Sequence, residues 1–471
     1  MIVHFIGIGG ISMSGLAALL HNPRTRLPLS SAELVSLRQS STSIDNSFVD
    51  FKVSGSDISD NDQIRHLRNL GIKIHIGHDA KNLPNDCTHV IVNGAIADDN
   101  PEYMLAKKRG IKIIDRAELL AEISRGYKNI IAVAGTSGKS STTAMIGAIF
   151  TEAMLSPTIH NGAVSAYNAN LGLVHGGDEF FISEACEFKK SFLKLEPTVG
   201  VITNINPDHM DCYKDFDDLM GAFGEFADKT SRSVFVNADC KNYASLDFSA
   251  SVEMTNRTFG IKNKADITAT NIIEFEKGKY KFTCKTNSTN FDVTLNVYGY
   301  HNIYNALSAI GVALEYNISL EVIQNALAKY KGISRRFEQL STYYSGLSAV
   351  KIISDYAHHP VEIATTIKTA KSLFDKFLIV FQPHTYSRTK ALFSEFEQVF
   401  DGVDVVFYKT YSAREKVIGG GSSLDLAKVL GKKHYVNKTA MMKHIKKASH
   451  KYDAVIFVGA GDIDSISRQI V

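Results

Sequence analysis

Short apolar runs recur along the chain, and each is followed by a glycine-rich or polar turn and then by a stretch with helical spacing. Runs of this length that are apolar throughout are typical of strands buried on both faces of a parallel sheet. The runs that we predict to be strands cover residues 2–6, 52–54, 72–76, 90–93, 130–134, 180–182, 199–202, 351–354, 377–381, 403–408 and 454–458. Their alternation with helical stretches predicts an α/β protein whose mostly parallel sheets are flanked by helices.

The alternation of strands and helices restarts twice, at breaks near residues 126–128 and 332–335. A chain of 471 residues is too long for one core. We therefore predict three domains, which comprise residues 1–127, 128–333 and 334–471. Residues 265–297, in the middle domain, show short strands without intervening helices, a pattern that predicts a small antiparallel sheet.

Residues 21–50 interrupt the pattern of the first domain. They are rich in Ser and contain Arg but no Lys, whereas the rest of the chain prefers Lys. This break in composition predicts an insertion at the surface, with a short helix around residues 32–38.

Composition narrows the classes of protein that are possible. Apolar residues make up 44% of the chain and charged residues 21%, as in soluble globular proteins. A net charge of +3 gives no reason to expect nucleic-acid binding. The five cysteines form no CxxC pair, and we find neither a signal peptide nor an apolar run of membrane-spanning length. We predict a cytoplasmic protein that does not bind membranes.

The segment Gly135-Thr136-Ser137-Gly138-Lys139-Ser140 follows a predicted buried strand and precedes a predicted helix over residues 141–150. Backbone N–H groups in such a turn converge on phosphate oxygens. Lys139 would contact the β- and γ-phosphates of a nucleotide, and the Ser140 hydroxyl would ligate Mg²⁺. The spacing differs from the general GxxxxGK[ST] pattern, and a turn without function is the alternative. The strand, the Lys-Ser pair and the helix together favour a nucleotide site.

Polar side chains also follow the two neighbouring predicted strands. Glu184 comes after residues 180–182, and His209 lies beyond residues 199–202. Open parallel sheets bind ligands at the carboxyl ends of their strands, so both side chains are expected beside the phosphate loop. A carboxylate and a histidine there suit one or two Mg²⁺ ions. Taken singly, each residue is more often an ordinary polar residue at a strand end, but their shared position beside the phosphate loop favours the metal site.

Motifs in all three predicted domains resemble those of the Mur ligases of peptidoglycan synthesis. These motifs are the phosphate loop, SEACE at residues 183–187, TNINPDHMD at 203–211, GYHNIYNA at 299–306 and RRFE at 335–338. GIGGISMSG at 7–15, SGSD at 54–57, NPE at 100–102 and RAE at 116–118 agree with them. The segments DYAHHP at 355–360, QPHTYSRT at 382–389 and AREK at 413–416 are most similar to the member that joins L-alanine to UDP-N-acetylmuramate.

The resemblance implies an ATP-dependent ligase that makes an acyl phosphate and needs Mg²⁺, with Mn²⁺ as an alternative. Its partners would be UDP-N-acetylmuramate and L-alanine, and it would be a monomer or a weak homodimer. The Rossmann-like first domain would bind the UDP-linked substrate through Gly7, Gly9, Gly10, Ser12, Ser14 and Asp57. The phosphate-loop domain and the Rossmann-like third domain would bind ATP through Gly135, Thr136, Ser137, Gly138, Lys139, Ser140, Ser141, His301, Asn302, Asn305, Arg335, Arg336 and Asp355.

The same resemblance assigns the chemistry. The metal ligands would be Ser140, Glu184 and His209. Residues that hold the amino acid would be Tyr356, His358 and Arg388, with His384 and Arg414 as weaker candidates. The catalytic residues would be Lys139, Glu184, His209, His358 and Arg388.

Several positions depart from the family pattern. Ser137 stands where His is usual, Ser140 replaces Thr, and Cys186 replaces an acid. Gly94 and Thr385 replace a usual Ser and an occasional Arg. Three alternatives stay open: a ligase that recycles tripeptide onto UDP-N-acetylmuramate, a folylpolyglutamate synthetase, which the first domain disfavours, and a catalytically impaired nucleotide-binding homologue.

Overall fold

Three β-sheets, each flanked by helices, make up the part of the chain that the computed structural model describes. The described residues are 1–22, 51–163, 172–207, 210, 212–242, 255–345, 348–413 and 415–470. The helix predicted at 32–38, most of the predicted insertion, His209 and Arg414 lie outside them.

The strands are β1 (Ile2–Ile6), β2 (Lys52–Asp57), β3 (Lys73–Ile76), β4 (His89–Val92), β5 (Lys112–Asp115), β6 (Asn129–Ala134), β7 (Thr158–His160), β8 (Leu173–Val174), β9 (Phe180–Glu184), β10 (Val199–Ile202), β11 (Ser233–Asn237), β12 (Thr255–Gly260), β13 (Ile267–Glu276), β14 (Lys279–Lys285), β15 (Asn290–Leu295), β16 (Glu338–Ser345), β17 (Ser348–Asp355), β18 (Phe377–Phe381), β19 (Val405–Tyr408), β20 (Lys433–Tyr435) and β21 (Ala454–Val458).

The α-helices are α1 (Ile11–His21), α2 (Asp62–Asn69), α3 (Pro101–Lys108), α4 (Arg116–Ser124), α5 (Lys139–Glu152), α6 (Phe216–Asp228), α7 (His301–Glu315), α8 (Leu320–Lys329), α9 (Pro360–Leu373), α10 (Tyr386–Ala391), α11 (Phe393–Phe400), α12 (Ser423–Val429), α13 (Lys438–Ala448) and α14 (Ile463–Ser467). Short 3₁₀ helices cover Ala80–Asn82, Phe188–Lys194 and Ser449–Lys451.

The first sheet has the order β3-β2-β1-β4-β5, and its strands pair in parallel. The order reverses at β1, so loops leave its carboxyl end toward opposite sides and open a crevice there. The glycine turn that follows β1 lies in this crevice.

The second sheet contains ten strands in the order β15-β14-β13-β12-β11-β10-β6-β9-β7-β8. Strands β10, β6 and β9 are adjacent and parallel, which brings the phosphate loop after β6 next to the loops after β9 and β10. The short strands predicted over residues 265–297 are β13, β14 and β15, and β12 joins them to this sheet.

The third sheet has the order β16-β17-β21-β18-β19-β20, with β16 antiparallel to β17 and the other pairs parallel. The prediction of an α/β fold with three mostly parallel, helix-flanked sheets is therefore confirmed.

The chain forms two compact units. The first comprises Met1–Ile272, Lys281–Asn296 and His301–Lys331, and the second comprises Ile273–Tyr280, Val297–Tyr300 and Gly332–Val471. One continuous apolar core in the first unit includes residues of both its sheets, such as Phe5 and Phe181. Within the described part of the chain, no helix combines the length and apolar character that a membrane crossing requires.

Candidate active site

The phosphate loop connects β6 to α5, and two of its positions accept only glycine. Gly135 has a φ of +131°, and a Cβ there would lie 2.1 Å from Thr203 Oγ1. Gly138, the N-cap of α5, has a φ of +85°, and its Cβ would lie 2.7 Å from Asn305 Oδ1. No side chain caps α5, so its first N–H groups keep the capacity to bind an anion.

The segment after β10 braces this loop through backbone contacts at Ser137. Asn204 Oδ1 accepts the Ser137 N–H at 3.0 Å, and Asn204 Nδ2 donates to the Ser137 carbonyl at 2.8 Å. Thr203 Oγ1 donates to the same carbonyl at 2.7 Å. The sequence predicted a metal ligand in this segment. The described side chains, Thr203 and Asn204, hold the phosphate loop in shape. The predicted ligand His209 falls outside the described residues.

Lys139 is held inside the loop by an ion pair. Its Nζ donates to the Gly135 carbonyl at 2.6 Å and lies 2.9 Å from Glu187 Oε2. The Glu187 side chain is only 1% exposed. Burial alone would lower the pKa of Lys139, but the Glu187 carboxylate outweighs it and raises the pKa above its ordinary value. Lys139 therefore stays charged, as a phosphate-binding lysine must. Our site prediction did not include Glu187, although two acids stand in the SEACE motif.

The Ser140 hydroxyl and the Glu184 carboxylate lie together beside the start of α5. Ser140 Oγ donates to Glu184 Oε2 at 2.8 Å, and the same carboxylate oxygen accepts the Gly162 N–H at 3.0 Å. Hydroxyl and carboxylate oxygens are what Mg²⁺ prefers. Among the described residues, no group of three or more His, Cys, Asp or Glu side chains is placed to hold a metal. The pair thus fits an ion that takes its remaining ligands from nucleotide phosphates and water.

The first turn of α7 lies against α5. Asn305 Nδ2 donates to Asn302 Oδ1 at 3.0 Å, and Asn305 Oδ1 accepts the Thr142 hydroxyl at 3.3 Å. Both amides are buried, while His301 is exposed at the start of the helix. The structure therefore brings Asn302 and Asn305 to the phosphate loop, and Ser141 lies in the first turn of α5.

The glycine turn after β1 is fixed by β2. Ser56 O accepts the Gly7 N–H at 2.8 Å, and Asp57 Oδ2 accepts the Gly9 N–H at 2.9 Å. Gly10, the N-cap of α1, provides no side-chain cap. The Asp57 carboxylate, predicted to bind the UDP-linked substrate, thus holds the turn in shape. A second predicted contact, Ser14, is fully buried and donates to the Ile11 carbonyl at 2.9 Å.

In the second unit, two arginines lie over Tyr356. The Arg335 guanidinium is 4.5 Å from the ring centroid and donates from Nη2 to the Gly459 carbonyl at 3.0 Å. The Arg336 guanidinium is 5.2 Å from the same ring, and its Nη1 lies 3.8 Å from Glu362 Oε1. Arg335 has a φ of +62°, a conformation that non-glycine residues rarely adopt. The structure thus groups three residues that the sequence predicted separately.

His358 and Arg388 meet around His384. The two imidazole centroids are 5.7 Å apart, and Arg388 Nη1 lies 3.4 Å from His384 Nδ1. Burial, together with the neighbouring His358 and Arg388, lowers the pKa of His384 to about 3, so this ring is a neutral acceptor. Burial also lowers the pKa of His358, although Glu362 opposes it from 3.3 Å. Thr385 precedes α10 with a strained φ of +67°, and α10 carries Arg388.

Asp355, predicted to bind ATP, makes two hydrogen bonds with backbone N–H groups. Its Oδ1 accepts the Ala357 N–H at 2.8 Å and its Oδ2 accepts the Phe337 N–H at 3.0 Å. Burial raises the pKa of Asp355 to about 6. The carboxylate holds the segment that carries Tyr356 and His358 in place.

Three family models match the chain in the order of its sheets. They describe a Mur ligase family catalytic domain at residues 50–128, a Mur ligase middle domain at 133–313 and a Mur ligase glutamate ligase domain at 335–461. The UDP-N-acetylmuramate–L-alanine ligase of Clostridium botulinum (strain Alaska E43) is 39% identical over 98% of this chain and 95% of its own. The same enzyme of Caldicellulosiruptor bescii is 37% identical, over 98% and 96% of the two chains.

Solved structures agree with these relatives. The UDP-N-acetylmuramate–alanine ligase MurC of Thermotoga maritima aligns with a TM-score of 0.78 and 28% identity, over 100% of this chain and 98% of that one. The murein peptide ligase of Psychrobacter arcticus, at 21% identity and a TM-score of 0.69 over the same shares, has the same fold. Because the identity extends along the whole chain and the three models match in order, the chain belongs to the Mur ligase family.

Proposed function

We propose that the chain joins L-alanine to UDP-N-acetylmuramate at the expense of ATP. The observation that carries the proposal is the cluster at the start of α5, where a charged lysine, a hydroxyl and a carboxylate surround uncapped N–H groups. Relatives with this activity in their names match the chain along almost its full length.

In the first step, an oxygen of the muramoyl carboxylate attacks the γ-phosphorus, and the bond to the β,γ-bridging oxygen breaks. ADP leaves, and an acyl phosphate remains. Lys139 would balance the negative charge that otherwise repels the carboxylate, and the N–H groups of α5 would hold the phosphates. Ser140 and Glu184 would hold a Mg²⁺ ion, which supplies further charge neutralisation when bound. His209 would serve a second metal site.

In the second step, the amine of alanine attacks the acyl carbon. The bond from that carbon to the phosphate oxygen breaks, phosphate leaves, and the nitrogen loses a proton. Arg388 would bind the alanine carboxylate, because none of the described salt bridges pairs it with a protein carboxylate. Neutral His384 would accept one Arg388 N–H, and Tyr356 and His358 would complete the amino-acid site.

The remaining assignments belong to the same proposal. His301, Asn302 and Asn305 would lie near the adenine, and Arg335, Arg336 and Asp355 would serve the nucleotide from the third domain. The glycine turn after β1 would bind the UDP part. The domains would comprise residues 1–127, 128–333 and 334–471, in a cytoplasmic monomer or weak homodimer.

Phosphate release tests the proposal. Wild-type protein with UDP-N-acetylmuramate, ATP and Mg²⁺ should release phosphate with L-alanine, and less with serine or glycine. The Lys139→Ala variant should release none. Release with a tripeptide but with no single amino acid would identify a recycling ligase. ATP binding without release under any condition would identify an impaired homologue.

A further inference from the structure

Arg116, the first residue of α4, lies at the start of α1 beside the glycine turn. Its Nη1 donates to Ser12 Oγ at 3.1 Å, and Ser12 is in the first turn of α1, which has no side-chain cap. The Arg116 side chain is half-buried, and none of the salt bridges among the described residues includes it. A half-buried guanidinium without an anionic partner retains donors for an incoming anion.

Ser12 does not have a free hydroxyl proton for that anion. Its Oγ lies 3.0 Å from Nε2 of His160, which is 3% exposed. Burial, with Arg116 nearby, lowers the pKa of His160 to about 3, so the imidazole is neutral. A neutral imidazole carries one N–H, and it is on Nδ1, because the Ser183 hydroxyl donates to the Glu184 carbonyl and can only accept from the ring. Nε2 of His160 is then an acceptor, so the Ser12 hydroxyl donates to it, and the Ser12 lone pairs accept from Arg116.

The chain of hydrogen bonds continues in one direction into the central sheet. With Nε2 of His160 as acceptor, its Nδ1–H donates to Ser183 Oγ at 3.3 Å. The Ser183 hydroxyl donates in turn to the Glu184 carbonyl at 3.0 Å. Every donor along this chain has one acceptor, which fixes both the tautomer of His160 and the position of the Ser12 oxygen.

We infer that Arg116, oriented by Ser12 and His160, binds the diphosphate of the nucleotide-linked substrate. The guanidinium matches phosphate oxygens through two parallel N–H donors, and the uncapped N-terminus of α1 favours the same anion. The inference rests on the proposed function for the choice of substrate. Ser12 and His160 become positioning residues, and Arg116 becomes the residue that contacts phosphate.

Steady-state kinetics with the full chain test the role of Arg116. Arg116→Ala should raise KM for UDP-N-acetylmuramate roughly 10- to 100-fold, because the charge-assisted hydrogen bonds to phosphate are lost, and leave KM for ATP within about twofold. Arg125 lies at the other end of α4 and pairs with Glu122 and Glu196. Arg125→Ala is the matched control and should leave both KM values unchanged. An unchanged KM for UDP-N-acetylmuramate in Arg116→Ala overturns the inference.

Calorimetry with UDP separates this inference from the proposed function. Arg116→Ala should weaken UDP binding by about the same factor and leave the affinity for uridine unchanged, since uridine lacks phosphate. This result is expected even if the wild-type protein does not ligate alanine. Equal UDP affinity in the variant and the wild type overturns the role of Arg116 whatever the ligase assay shows.

A double-mutant cycle tests the positioning by Ser12. Ser12→Ala alone should raise KM for UDP-N-acetylmuramate about three- to tenfold, because Arg116 loses its anchor. The same change in the Arg116→Ala background should have no further effect. If KM for UDP-N-acetylmuramate in the double variant rises by the product of the two single-variant factors, Ser12 acts independently of Arg116. That result would overturn the positioning role.

Discussion

The buried pair of Lys139 and Glu187 predicts a stability effect that can be separated from catalysis. Replacing Lys139 by Met fills the same space but leaves the Glu187 carboxylate, 1% exposed, without its cation 2.9 Å away. Such a loss costs about 3–5 kcal/mol of unfolding free energy. Protonation limits the cost, since neutralising a glutamate at pH 7 takes about 3.5 kcal/mol. We therefore expect Lys139→Met to lower the unfolding free energy by about 3 kcal/mol at neutral pH.

The pH dependence of the deficit follows from the same pair. In Lys139→Met the buried Glu187 carboxylate faces no cation, and an uncompensated buried charge disfavours the folded state most where the carboxylate is ionised. Stability from this group is then present at low pH and is lost as the pH rises. The gap to the wild type should be largest at pH 7.5 and shrink toward pH 5. The double variant Lys139→Met/Glu187→Met should regain most of the stability, because no buried charge is left. It should remain inactive, because the cation for the phosphates is missing.

Urea unfolding followed by far-UV circular dichroism measures these differences, as the chain contains no tryptophan. The control is Lys329→Met, which breaks the exposed pair of Lys329 with Glu152 and should cost less than about 1 kcal/mol. The reasoning is refuted if Lys139→Met is as stable as the wild type at pH 7.5. It is also refuted if the double variant is no more stable than the single one.

Three further predictions follow from individual positions. At Gly138 the backbone φ is +85° and an added Cβ would lie 2.7 Å from Asn305 Oδ1, so Gly138→Ala should weaken ATP binding about tenfold in calorimetry. Gly221→Ala is the control and should leave ATP binding unchanged, because nothing lies within 4 Å of the Cβ it would add. Burial raises the pKa of Asp355 to about 6, so its contribution to stability is present below pH 4 and is lost as the pH rises through 6. Scanning calorimetry should therefore show a flatter pH profile for Asp355→Asn between pH 4 and 7, and parallel profiles would contradict this. Lys189→Gly should raise the unfolding free energy in urea by about 0.5–1 kcal/mol, because Lys189 has a φ of +51°; a loss would show that the backbone is not strained there.

The buried strands were predictable because nearly all their residues are apolar. β1, β18 and β21 have the predicted bounds, and each lies in the middle of a sheet where both faces exclude water. β2 extends beyond its predicted end at residue 54, through Gly55 and Ser56 to Asp57, because these residues are buried although they are not apolar. The antiparallel strand β16, which contains Gln339, Ser341 and Thr342, carries no continuous apolar signal and was not predicted.

The partners of polar side chains were less predictable, since they depend on contacts between distant segments. The motif SEACE offers two carboxylates, and its spacing does not say which one faces Lys139 and which one faces Ser140. The loop after β9 decides this, and it contains two consecutive residues with positive φ, Lys189 and Lys190. Arg116 and His160 are 44 residues apart, and Ser12 hydrogen-bonds to both. No local pattern marks such a relay.

At positions 137 and 140, where the phosphate loop departs from the family pattern, the hydrogen bonds use backbone atoms or a hydroxyl oxygen that both residue types have. At position 137 the described contacts involve the backbone N–H and carbonyl, which Asn204 and Thr203 bind. A change of side chain from His to Ser at this position leaves those contacts intact. At position 140 the atom in contact with Glu184 is the hydroxyl oxygen, which Ser and Thr share. Both replacements therefore preserve the groups that the loop needs to hold phosphate and a metal ion, and they give no reason to expect an inactive homologue.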